Sequence, residues 1–345
     1  MTNKKKIIFI VNPISGTQSK KAILRLIDER IDKSQYEYVI EKTRYAGHAV
    51  LIAEKAAINN ADIVVAIGGD GTINEIGRSL VHTKTALGII PCGSGNGLAR
   101  HLGIPLEPKG AIDIINSGEI ICIDYGKING RPFFCTCGVG FDAFVSLKFA
   151  DSGKRGLLTY LENTLHESLT YKPETYEIEN EEGSIKYKAF LIACANASQY
   201  GNNAYIAPQA SLTDGFMDVT ILEPFTVLDV PTLAFQLFNK TIDQNSRIKT
   251  MKAKRIKIHR THEGVMHYDG DPVEAEKDIE VELIPHGLNV LVCDKKKKEV
   301  NSNNILQQMI EYFEDVSPLT GESLNKKYNH IFHLNKQLLR RLSKK

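Results

Sequence analysis

Asp62-Ile63-Val64-Val65-Ala66-Ile67-Gly68-Gly69-Asp70-Gly71-Thr72 runs from an apolar stretch into a glycine turn. Asp62–Ile67 reads as a fully buried strand, and Thr72–Leu80 as a helix. Gly lacks a Cβ, so the backbone at Gly68–Gly71 is free to turn sharply and approach a ligand closely. Exposed amides and a helix N-terminus then offer a cradle for phosphate. Asp70 is unexpected there, because a carboxylate repels phosphate. It makes sense if it meets a metal-phosphate or a hydroxyl. The plain alternative is a tight turn in which Asp70 caps the helix. Taken alone, such a turn is weak evidence.

The same grammar recurs on either side. Pro91-Cys92-Gly93-Ser94-Gly95-Asn96-Gly97 follows the strand Ala86–Ile90 and precedes a helix beginning near Leu98. Asn12-Pro13-Ile14-Ser15-Gly16 ends a first strand, Ile7–Val11. Between them, Lys20–Ile31 and Ala46–Ala57 carry helical periodicity and Tyr36–Ile40 reads as a strand. This alternation predicts a parallel α/β sheet with three glycine turns at its carboxyl edge, where nucleotides bind. No GxxxxGK[ST] pattern is present, which excludes a P-loop.

From about Ile121 the pattern changes to short strands. Asn129-Gly130 between Tyr125–Ile128 and Pro132–Cys137 signals a hairpin. Tyr176–Glu179, Lys186–Cys194, Met217–Leu222, Arg255–His259, Ile279–Leu283 and Asn289–Cys293 read as further strands, and Leu157–Thr170 as a helix among them. The expected fold is therefore α/β plus all-β. A parallel α/β nucleotide-binding domain spans residues 1–120, an antiparallel β-sandwich domain 121–294, and a linker with a helical tail 295–345. The cleft between the first two is the expected ligand site.

At 345 residues, 42% hydrophobic and 24% charged, the chain has ordinary globular composition. A net charge of +2 argues for no nucleic-acid partner. Six cysteines are too few for a disulfide scaffold, so reduced thiols and a cytoplasmic setting are expected. No apolar run has the length to span a bilayer. Two patterns are set aside. Gly138-Val139-Gly140-Phe141-Asp142-Ala143 fits a loose dinucleotide motif but lacks a βαβ context. His259, His262 and His267 lack matching Cys or carboxylate spacing for zinc and read as strand-surface histidines.

In order and spacing, Asn12–Gly16, Gly68–Thr72, Pro91–Arg100, Leu212-Thr213-Asp214-Gly215 and Asp269-Gly270-Asp271-Pro272 resemble the motifs of the diacylglycerol-kinase catalytic domain family, which includes sphingosine and ceramide kinases. The resemblance covers about Lys6 to Cys293. It implies an ATP-dependent lipid kinase. The nucleotide would be bound by Asn12, Thr43, Gly68, Gly69, Asp70, Gly71, Thr72, Ile73, Asn74 and Ser94. Asp214, with the carbonyls of Ser211 and Phe216, would hold Mg2+; an oxygen-only site suits that ion. Asp271 would be the general base, with Asp70 assisting. ATP and a lipid at the membrane surface are the implied partners, a homodimer is left open, and the enzyme would visit the inner face of the membrane peripherally.

Two departures stand out. Gly97 replaces an Asp found in many bacterial members, as in the sphingosine-kinase form of the turn. Asp271 replaces a Glu and is shorter by one methylene. Diacylglycerol or a related glycerolipid is the expected acceptor. The alternatives are a sphingoid long-chain base, for whose ammonium Asp142 or Asp151 would be needed, or a non-catalytic nucleotide-binding regulatory protein. Phe141, Phe144 and the Leu158–Leu169 helix would line an acyl groove, or else simply form core. The tail from Ile331 to Lys345 reads as a basic amphipathic helix, either packed or membrane-facing.

Overall fold

The computed structural model describes residues 4–16, 18–152, 171–226 and 228–293. The expected helix Leu157–Thr170, the linker and the tail helix lie outside the described residues. The first third alternates as expected: β1 (Lys5–Val11), α1 (Lys20–Arg30), β2 (Tyr36–Lys42), α2 (His48–Ile58), β3 (Ile63–Gly68), α3 (Asp70–Leu80), β4 (Ala86–Pro91), α4 (Gly97–His101) and α5 (Pro108–Ser117). Each helix has a local cause. Ser19 accepts from the Ala22 amide to start α1, and Pro108, whose missing N–H is no loss in a first turn, opens α5. The strands pair in the parallel order β2-β1-β3-β4. β3 and β4 are buried along their whole length, as uninterrupted apolar runs require when helices cover both faces.

The rest of the described chain is mainly antiparallel. β5 (Glu119–Ile128) and β6 (Arg131–Phe133) form the expected hairpin, with Asn129 and Gly130 both at positive φ. Then come β7 (Thr136–Gly140), α6 (Phe141–Ser152), β8 (Glu174–Asn180), β9 (Gly183–Ala189), β10 (Leu191–Ala195), β11 (Met217–Leu222) and α7 (Val230–Phe238). β12 (Ile248–Ala253), β13 (Arg255–Arg260), β14 (Gly264–Tyr268), β15 (Asp271–Ala275) and β16 (Asp278–Val292) complete the order. A six-stranded sheet, β12-β11-β10-β7-β14-β15, faces the antiparallel half of a ten-stranded sheet. Val139, Val219 and Met266 of the first meet Ile258, Ile279 and Val281 of the second in a shared core, which makes the sandwich.

Three strand expectations needed correction. Pro132–Cys137, read as one strand, is divided between β6 of the ten-stranded sheet and β7 of the six-stranded one. Lys186–Cys194, read as one strand, is two: the chain leaves the ten-stranded sheet after Ala189 and enters the other at Leu191. Ile279–Leu283 and Asn289–Cys293, read as two, belong to the single long strand β16. Its register shifts between Ile284 and Leu288, a bulge that lets one strand pair with β13 and β5 and, through Val290 and Leu87, lie parallel to β4. The ten-stranded sheet thus runs without a break from the parallel half into the sandwich.

Candidate active site

The three glycine turns do lie at one sheet edge, and they are packed onto each other. Gly16 has φ +59°, and a Cβ there would overlap the Cys92 carbonyl oxygen at 1.5 Å. A Cβ on Gly69 would sit 3.1 Å from Gly93 Cα, and one on Gly93 only 2.7 Å from Gly69 Cα. Glycine is needed here because backbone meets backbone. Asn12 Nδ2 donates to Thr72 Oγ1 at 3.0 Å, tying the first turn to the second. The Thr43 amide donates to the Val11 carbonyl at 2.9 Å, which brings the end of β2 to the same edge. Ser94 is exposed at the tip of its turn.

Asp70 caps a helix, but not its own. Its Oδ2 accepts from the Asn96 amide at 2.8 Å and its Oδ1 from the Gly97 amide at 2.7 Å, so it closes the N-terminus of α4. Burial pushes the Asp70 carboxyl up, and those two amides oppose the rise. The start of α3 itself has no side-chain cap. As at any helix start, its first amides lack intrahelical acceptors and sit at the positive end of the dipole, while the acidic side chain in that turn is bonded to α4 and lies against its own amide. This arrangement removes the apparent conflict of an acid in a phosphate turn. Ile73 is 2% exposed and belongs to the core, so only its backbone is left for a ligand. The Asn74 side chain is engaged with the Pro132 carbonyl at 3.0 Å and Asp269 Oδ2 at 2.9 Å.

That last bond docks the β14–β15 turn on α3. Asp269, at φ +47°, accepts four hydrogen bonds: from Asn74 and the amides of Phe134, Cys135 and Thr136. Burial nonetheless raises its carboxyl to about 6, the four donors pulling the other way. Asp271, two residues on, opens β15 and is exposed, and its carboxylate accepts no hydrogen bond from the described residues. Loss of surrounding water raises it first, then the negative charge of Glu75 on α3, with Arg78 opposing. Of the two carboxylates, Asp269 is saturated and Asp271 is available.

On the loop before β11, Asp214 Oδ1 accepts from the Phe216 amide at 3.1 Å, and Oδ2 meets Lys252 Nζ at 2.6 Å. The same ammonium lies 3.6 Å from Asp218 Oδ2, a buried oxygen without a hydrogen-bond partner. Among the described residues no group of three or more His, Cys, Asp or Glu side chains converges as a metal centre. Asp214 on the loop and Asp218 on β11 share the Lys252 ammonium. Hard oxygen donors of this kind would also suit magnesium. Lys252 is the rival for that position.

Sequence reasoning missed Asp124. It is fully buried on β5, accepts from the Gly215 amide at 2.8 Å and from the His286 amide at 2.8 Å, and so fixes both the Asp214 loop and the bulge of β16. Its signal was visible: a lone carboxylate inside the apolar run Ile120–Ile128, where only a fully bonded one is stable. The three histidines do not converge. His259 pairs with Asp278 and Glu179, His262 with Glu174, and His267 with Asp142. His267 is buried at 2% exposure, so it is not a surface histidine. Asp142 Oδ2 is held by His267 Nε2 and by the Tyr200 hydroxyl, each at 3.1 Å, and is not open to an ammonium. The Gly138–Ala143 pattern joins antiparallel β7 to α6, consistent with setting it aside as a dinucleotide motif.

Comparison with known proteins agrees with this geometry. A family model described as diacylglycerol kinase catalytic domain matches residues 6–128, and one described as YegS C-terminal NAD kinase beta sandwich-like domain matches residues 135–292. A diacylglycerol kinase of Bacillus subtilis (strain 168) is 30% identical over 273 residues, covering 77% of this chain and 90% of the relative. A protein of Klebsiella pneumoniae (strain 342) named probable lipid kinase YegS-like is 30% identical over 276 residues, 79% of this chain and 90% of that one. The crystal structure of a diacylglycerol kinase from Bacillus anthracis str. Sterne shares the fold, with a TM-score of 0.65 at 20% identity over 85% of this chain and 98% of that one. The chain belongs to the diacylglycerol-kinase catalytic domain family and is a lipid kinase.

Proposed function

We propose that this kinase transfers the γ-phosphate of ATP directly to a hydroxyl of diacylglycerol or a related glycerolipid. The observation that carries the reading is the uncapped start of α3, between packed glycine turns, with the available carboxylate of Asp271 two residues beyond Asp269, which is bonded to Asn74 of the same helix. ATP phosphates would lie on the first amides of α3, with the backbone of Gly68 to Asn74, Asn12, Thr43 and Ser94 around them. The magnesium ion that travels with ATP neutralises its β- and γ-oxygens. Positioning and a preset field then supply most of the catalysis.

Asp271 accepts the proton of the attacking lipid hydroxyl. Asp70 is a positioning residue, because both its oxygens hold α4. Asp214, with the carbonyls of Ser211 and Phe216, would hold a second magnesium ion on the acceptor side in place of Lys252 Nζ. Residues 1–120 serve as the nucleotide half and 121–294 as the acceptor half. The names of the relatives favour a glycerolipid acceptor. Gly97 has its own steric account: a Cβ there would lie 3.2 Å from Cys135 Sγ and from the Tyr200 carbonyl, so it is no sign of a long-chain base. The engagement of Asp142 also weakens the sphingoid-base reading. Among the described residues no helix is long and apolar enough to cross a membrane, which suits an enzyme that meets its lipid at a surface.

Radiolabelled ATP with detergent-dispersed diacylglycerol, monoacylglycerol, phosphatidylglycerol, ceramide and sphinganine tests the reading. Label transferred mainly to diacylglycerol or monoacylglycerol is expected. Transfer mainly to sphinganine or ceramide, or to none of the panel, would reject it.

A further inference from the structure

The α3 turn leaves only one direction for the rest of a nucleotide. Beyond β4 the edge is closed. The Asn202 amide donates to the Gly95 carbonyl at 3.1 Å, and a Cβ on Gly201 would lie 2.8 Å from Gly95 Cα. On the other side lie β1 and then β2. Strands are about 4.8 Å apart, so β2 stands roughly 10 Å from β3. That is the span a ribose and base must cover once the phosphates sit on α3.

The loop that follows β2 presents an aromatic ring on that side. Tyr45 is 60% exposed, and Ile14 of the neighbouring β1 turn is 72% exposed. Tyr45 is not a loose surface side chain. Its ring stacks on His48, with centroids 4.6 Å apart and planes at 20°. His48 begins α2, and its Nδ1 accepts from the Arg44 amide at 3.1 Å, which closes the loop beneath the ring. The Gly47 amide donates to Glu75 Oε1 at 3.0 Å, so the loop is fastened to α3 itself. The tyrosine ring is thus held in place relative to the phosphate helix, with one face on His48.

We infer that Tyr45 is the stacking platform for the nucleobase, a specificity-determining residue beside Thr43. The inference rests on the reading of α3 as the phosphate site. A flat ring serves any purine and gives little purchase to a bare polyphosphate. Stacking of a base on an aromatic ring contributes about 1–3 kcal/mol.

The chain contains no tryptophan, so Tyr45→Trp introduces a single indole. Its emission should be quenched by ATP over the concentrations that support turnover, and not by inorganic tripolyphosphate. Tyr45→Ala should raise the KM for ATP about tenfold, equivalent to about 1.4 kcal/mol, with kcat within about twofold. Tyr45→Phe should behave as the wild type. Indole emission unchanged by saturating ATP, or changed equally by tripolyphosphate, overturns the platform, as does an unaltered KM in Tyr45→Ala. Failure of the phosphate reading looks different. A Cβ on Gly71 meets nothing within 4 Å, so Gly71→Glu places a carboxylate at the start of α3 with no clash at its Cβ. If that variant turns over ATP as the wild type does, the phosphate site lies elsewhere and the platform falls with it.

Discussion

The edge proposed for the nucleotide and the edge proposed for the acceptor lipid are built in opposite ways. On the nucleotide side the precise parts are backbone: Gly16 against Cys92, Gly69 against Gly93, and Asp70 bonded to two amides. On the acceptor side they are carboxylates two residues apart, Asp269 with four donors and Asp271 with none among the described residues. The difference teaches that an acidic residue in a catalytic motif has two distinct uses. A carboxylate surrounded by N–H groups is a structural bracket, whereas one left unpaired and partly desolvated is a proton acceptor.

The strongest way to break this contrast is Asp269→Asn. Asn tolerates the positive φ, so only the charge and one acceptor change. An NH2 group would then face amide donors, for a loss of about 3 kcal/mol, or roughly 5 °C in Tm for a chain of this size. A calorimetric Tm equal to wild type would mean that Asp269 is no bracket. Asp271→Asn should do the reverse: kcat lower by about a hundredfold, with Tm and the KM for ATP hardly moved. A loss appearing as weaker ATP binding would reassign Asp271 to the nucleotide. Asp70→Asn should fall between, abolishing turnover and also lowering Tm, because an amide does not accept from both Asn96 and Gly97. Turnover within a few-fold of wild type would exclude a positioning role.

A pH profile sharpens the comparison further. Asp271 is raised above its ordinary value, and a base acts only when deprotonated, so kcat/KM should fall on the acid side at a higher pH than an unshifted aspartate would set. Glu75→Gln removes the negative neighbour and keeps the acceptor for the Gly47 amide. The acid limb should therefore move to lower pH. A limb that stays put would show that Asp271 does not set it. The smallest effect is expected at Lys252→Met. With the rival ammonium gone from Asp214 and Asp218, half-maximal magnesium should drop a few-fold in a titration at fixed ATP-magnesium. An unchanged curve would remove the metal assignment from that loop.

The backbone side was open to reading from sequence because its requirements are local. Gly68–Thr72 and Pro91–Gly97 each follow an apolar run, and parallel topology then sets them side by side. The acceptor side was less legible. Asp-Gly-Asp-Pro shows two carboxylates, and only the approach of Asn74 and the amides of Phe134 to Thr136 separates their roles. Ile279–Leu283 and Asn289–Cys293 read as two strands, but Asp124, more than 160 positions from His286, accepts the His286 amide and carries β16 through. Tyr45 gave no signal in sequence, since a lone surface aromatic is ordinary. Its place on the edge emerges from strand order.

β16 has a consequence for how this enzyme is made. It is the partner of β4 on the parallel sheet, yet it is translated about 200 residues later. At 5–20 residues per second that interval is roughly 10–40 s. Throughout it, the apolar strand Ala86–Pro91 has an unfilled edge on the ribosome-bound chain. The nucleotide half looks self-sufficient on paper, but as a nascent chain it waits for the last strand to arrive. A fragment ending before Asp278 would keep that edge permanently open and expose it to aggregation.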